Sequence, residues 1–114
     1  MTDTSQENTR KPILALGELL VDLMPLRENM RIEDPGPVLK AASGAAGIFA
    51  CAASLLGAPS GFIGKIGVDS LSRMVTETLR AQNVDISHVI VSNEYQIGLA
   101  FLEYLPEGRN YQYY

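Results

Sequence analysis

The sequence predicts an α/β domain, a parallel βαβ core followed by a small antiparallel β unit. Three observations carry this. Short apolar runs at Ile13–Leu16, Ser60–Lys65 and His88–Val91 have the length and β-branched content of core strands. Two helix-period segments lie between them, one apolar on nearly every side and one with a single apolar stripe. The last stretch is different in kind. There, two strand-like runs, Ile97–Leu105 and Asn110–Tyr114, flank the turn signal Pro106-Glu107-Gly108-Arg109.

In order, residues 1–11 read as a disordered polar tail, and residues 12–114 as one domain. Ile13–Leu16 is expected to be a buried first strand. Leu19–Leu26 is a second, interrupted by Asp22, a carboxylate that is costly there unless it is paired or faces a ligand. Arg27–Pro37 is a polar loop containing Pro and Gly, and Val38–Ala42 a short strand. Small residues from Ala41 to Gly44 lead into a helix from about Ala45 to Leu56. Its apolar residues on both faces predict that it is covered on both sides. Strand, helix and strand, from Val38 to Lys65, then read as a right-handed parallel βαβ unit. Asp69 or Ser70 can cap the next helix, Leu71 to about Gln82, and Asn83 can take its left-handed end. Leu71, Met74, Val75 and Leu79 form its apolar stripe, while Arg73, Glu77 and Arg80 face water.

The chain has 114 residues, 46% apolar and 19% charged, with a net charge of −4, so it is globular and too short for two domains. An acidic chain without a Lys/Arg cluster argues against nucleic acid and against an anionic membrane surface. The one cysteine, Cys51, allows no internal disulfide and no zinc cluster. It reads as a small buried hydrophobe. The lone His88, at a strand start, reads as solvated. From Ala41 to Gly64 no residue is charged, a length that could span a bilayer, but Gly57, Pro59 and Gly61 break it. With a polar N-terminus lacking a secretory core, a cytoplasmic protein is expected.

Three pieces carry the functional information: Gly17-Glu18…Asp22, the small-residue turn Ser43-Gly44 into the apolar helix, and Gly64-Lys65-Ile66-Gly67-Val68-Asp69. In this order, with Gly98-Leu99-Ala100-Phe101 and the aromatic-ended hairpin Gly108-Arg109…Tyr113-Tyr114, they resemble the ribokinase-like (PfkB) carbohydrate kinases, of fructokinase or sugar-acid kinase type. The resemblance implies a ribokinase-like sheet with a small antiparallel β lid. It implies ATP- and magnesium-dependent transfer of a phosphoryl group to a sugar hydroxyl in the complete protein. It also implies that this chain is the N-terminal part, which supplies the sugar side and the lid. The ATP half, with its Gly-Ala-Gly-Asp motif and catalytic base, is not in the sequence. The chain alone is therefore expected to bind no ATP or metal productively and to phosphorylate nothing; no catalytic residue is assigned.

By resemblance, the substrate-binding residues are Asp22, Ser43, Gly44, Ile48, Lys65, Phe101 and Tyr113, the ligand a sugar or sugar acid, and the lid a possible homodimer contact. Asp22 would accept sugar hydroxyls, and Ser43-Gly44 stands where the family has paired glycines. Ile48 departs from the family's asparagine, Val68 from an aspartate, Ser72 from a glycine and Ile97 from a threonine. Two readings follow: a pocket retuned for a different sugar, or a non-catalytic sugar-binding or interaction protein of kinase descent.

Overall fold

A computed structural model of the chain describes residues 10–114, so the expected polar tail lies outside the described residues except for Arg10 and Lys11. The strands are β1 (Ile13–Leu16), β2 (Leu20–Pro25), β3 (Val38–Ser43), β4 (Ser60–Ile66), β5 (Val89–Val91), β6 (Gly98–Leu105) and β7 (Gly108–Tyr113). The helices are α1 (Ala45–Leu55) and α2 (Ser70–Ala81).

These elements form two sheets. The first is parallel and runs β1-β4-β5. The second runs β3-β2-β6-β7, with β2 and β6 parallel and both outer pairs antiparallel. The mixed α/β class expected from the sequence is the observed one. The βαβ unit is differently composed, however. It is β1-α1-β4, because β3 pairs antiparallel with β2, Asp22 opposite Ala41, and so belongs to the second sheet.

Helix α2 starts where the sequence places it. Asp69 is its N-cap, accepting the backbone N–H of Ser72 at 2.8 Å. Asn83 follows its end in the left-handed region, with φ 59°. Val75 and Leu79 of its stripe are buried, and Arg73, Glu77 and Arg80 are exposed, with Arg80 paired to Glu77. Val75 and Leu79 pack with Leu19, Val21, Phe62 and Ile66 into one core between the helices and the sheets. Each such fully buried side chain contributes roughly 1.5–3 kcal/mol.

Two burial expectations are corrected. Helix α1 buries Gly47 and Ala50, while Phe49, Leu55 and Leu56 face outward, so it is covered on one side. In β1 only Ala15 is buried, and Leu16 is 76% exposed. For β1 the cause lies in the sheet. β1 pairs with β4 along one edge, α1 covers one face, and the face carrying Leu14, Leu16 and Ile90 has no second layer among the described residues. Ser60 secures the covered face, its hydroxyl donating to the Ala50 carbonyl at 2.7 Å.

The hairpin closes between β6 and β7, with Leu105 opposite Gly108. No helix among the described residues is long and apolar enough to cross a membrane.

Candidate functional site

Strand alternation places the central carboxylate. Val21 is fully buried and Leu23 nearly so, both turned into the core. Asp22, between them, must point to the other face of the second sheet, where it is half-buried. Its neighbours across the strands are Ala41 on β3 and Ala100 on β6. Neither methyl offers the carboxylate a hydrogen-bond partner, and Ala100 is itself only 1% exposed, with Ala41 half-buried. One strand further, Ala100 faces Tyr113 on β7, roughly 10 Å from Asp22 at two strand spacings. The Tyr113 ring stacks on Tyr111, centroids 6.2 Å apart and 8° from parallel. Among the described residues the Asp22 carboxylate makes no hydrogen bond or ion pair. A half-buried carboxylate with an aromatic face nearby can accept hydroxyls while a ring covers apolar C–H surface.

The same face continues to the β3–α1 junction, since Ser43 lies opposite Leu20, two residues from Asp22. Gly44 makes the turn. Its φ is 106°, and a Cβ there would collide with the Glu18 carbonyl and the Leu19 backbone, so only glycine fits. Its carbonyl accepts the N–H of Ile48 at 2.9 Å, closing the first turn of α1 without a side-chain cap.

The remaining expected residues divide. Asp22, Ser43, Gly44 and Tyr113 lie along one face and its rim. Phe101 occupies the opposite face, packed on the core opposite Leu23 and edge-on to Tyr114 at 5.5 Å. Lys65 is exposed on the other sheet, beside Ile90, with no hydrogen bond to Asp22. Ile48 is 57% exposed at the rim of an apolar groove of about 330 Å³ between α1 and α2. Cys51, Leu55, Val75 and Leu79 also line that groove, with Ala42, whose partner is Val21. It lies mainly on the core side of the sheet and reaches the Asp22 face only at Ser43, which also lines it.

Of the family departures, Ser72 is structural. It is 1% exposed, its hydroxyl donates to Asp69 at 2.7 Å, and it accepts the Gly67 N–H at 3.2 Å. Burial alone would push the Asp69 carboxyl up, but the Ser72 N–H and hydroxyl, with the Ile97 N–H, outweigh it and hold the carboxyl below the usual range. Val68 is exposed and Ile97 is core. Burial pushes the half-buried Cys51 thiol up, and His88 is exposed.

Nothing in the residue order marks Ala41 and Ala100 as the flanks of Asp22, because pairing across three strands decides that. Among the described residues no three His, Cys, Asp or Glu side chains stand close enough to hold a metal ion.

Residues 10–113 match the family described as "pfkB family carbohydrate kinase". The chain belongs to this family. Among its curated relatives, Fructokinase-1 of Zea mays is 32% identical over 106 residues, covering 92% of this chain and 33% of the relative. A solved fructokinase from Xylella fastidiosa with bound ATP matches at TM-score 0.80 and 26% identity, over 92% of this chain and 33% of that one. A putative ribokinase II from E. coli in complex with ATP and Mg²⁺ matches at TM-score 0.82 and 28% identity, over 91% and 33%. The chain thus spans about a third of the length of the pfkB relatives it matches.

Proposed function

We propose that this chain forms the sugar-facing part and lid of a fructokinase-like kinase. In the complete protein, a sugar hydroxyl oxygen takes the γ-phosphoryl group of ATP, ADP leaves with the electron pair of the broken P–O bond, and the hydroxyl proton passes to a base. No residue of this chain is assigned as that base, so the chain alone carries no transferase activity. It binds the sugar. The observation behind this reading is Asp22, half-buried and without a protein partner among the described residues, with Ala41, Ala100 and the Ser43-Gly44 turn around it. The relatives include fructokinases, which favours fructose over a sugar acid or a nucleoside. Lid-to-lid pairing of two copies is part of the proposal, since β7 is an exposed edge strand.

Calorimetry with fructose, other sugars and sugar acids tests the reading. Saturable binding should weaken tenfold or more in Asp22→Ala, because a hydrogen bond to a charged group is worth about 1.5–3 kcal/mol. Sugar binding unchanged in Asp22→Ala would overturn it. Ile48 favours a second reading, a sugar-binding protein of kinase descent without catalysis, because an exposed isoleucine cannot hydrogen-bond a hydroxyl. Reading the gene downstream of Tyr114 separates the two. A Gly-Ala-Gly-Asp sequence supports the kinase, and its absence or a lost aspartate supports the binder.

A further inference from the structure

Glu103 is the one charged residue of β6, and it is only 7% exposed. Burying a carboxylate is costly unless donors meet it. Two do: the backbone N–H of Ile32 donates to one oxygen at 2.9 Å, and the Asn110 side-chain amide to the other at 3.3 Å. Ile32 lies in the segment 26–37 that joins β2 to β3, and Asn110 lies on β7. One carboxylate therefore ties a strap and two strands together.

The strap's other bonds are weaker or internal. Leu26 bonds Pro37, and the Arg31 N–H bonds the Asp34 carboxylate, both within the segment. Outward, the Asn29 N–H reaches the Tyr104 carbonyl at 3.0 Å, and Arg31 meets Glu107 at 3.7 Å with both side chains exposed. Met30 is buried against the sheet. The charge-assisted, partly buried bond to Glu103 is the strongest of the outward set.

We propose that Glu103 is a positioning residue, the latch that holds the 26–37 strap on the β3-β2-β6-β7 sheet, and that releasing it frees the strap while the core stays folded. This rests on the sugar-site reading only in calling that sheet a lid; its readout needs no sugar.

Limited trypsin digestion tests it, comparing cleavage after Arg31 in the strap with cleavage after Lys65 in β4. When reclosing is fast, cleavage follows the open population. Glu103→Leu keeps the apolar burial and removes both acceptors, so cleavage after Arg31 should rise by about tenfold, the loss of one charge-assisted bond, with Lys65 unchanged. Glu103→Gln retains a neutral acceptor for Ile32, about half as strong as the charged one, so cleavage after Arg31 should rise only about threefold. A leucine variant as resistant as wild type, or a glutamine variant cut as fast as leucine, overturns the latch. If Glu103→Leu unfolds the chain, so that Lys65 is cut as fast as Arg31, Glu103→Gln decides: faster cutting at Arg31 alone supports the latch, and unchanged cutting overturns it.

Discussion

Asp69 holds both ends of Ser72, taking its backbone N–H at 2.8 Å and its hydroxyl at 2.7 Å. The pair fixes the start of α2, and the Ser72 hydroxyl holds the Gly67 N–H just after β4. Because the folded carboxyl sits below its ordinary value, the unfolded chain takes up the proton first. The stabilisation is complete above the unfolded value of about 3.9 and is lost as pH falls toward the lower folded value. Asp69→Asn keeps a good N-cap, so wild type should lose more stability than this variant between about pH 5 and about pH 3. Urea melts at several pH values check this.

Ser72→Ala should cost about 1–2 kcal/mol, since the buried Gly67 N–H and an Asp69 oxygen both lose a partner. Equilibrium urea unfolding measures it. A neutral result would mean that another group takes over both bonds.

Gly44→Ala and Gly57→Ala separate strain from collision. Both glycines have positive φ, but a Cβ meets backbone at Gly44 and nothing within 4 Å at Gly57. Gly57→Ala should cost about 1 kcal/mol from strain alone. Gly44→Ala should cost several-fold more or prevent folding. Thermal melts of the two variants side by side show the difference.

Cys51 should react slowly. With its thiol pushed up by burial, less of it is thiolate near neutral pH than for a free cysteine. Alkylation with iodoacetamide should run slower than for a free-cysteine peptide, and speed up to the peptide's rate in urea.

The local grammar of the chain was legible in its residues. The cap at Asp69, the left-handed Asn83, the α2 stripe and the β6–β7 turn each follow from a few neighbours. What stayed hidden depends on distant pairing. Val38–Ala42 reads equally well as the first strand of a βαβ unit or as a partner of β2; only the register of Asp22 with Ala41 decides. Leu14, Leu16, Phe49 and Leu55 look like core because apolar character does not say which face another layer covers. Of the proposed sugar residues, Asp22, Ser43, Gly44 and Tyr113 share one face, and Phe101 falls on the other because strand parity, not composition, orients it. Glu103 had a signal, a lone carboxylate in the run Leu99–Leu105, but its partner Ile32 is far away in sequence.

The most direct measurement is amide chemical-shift mapping of the ¹⁵N-labelled chain titrated with fructose. A sugar site at Asp22 predicts saturable shifts clustered at Val21–Leu23, Ala41–Gly44 and Leu99–Phe101, and their loss in Asp22→Ala. Shifts confined to the α1–α2 groove around Cys51 and Leu79, or unchanged in Asp22→Ala, would contradict it.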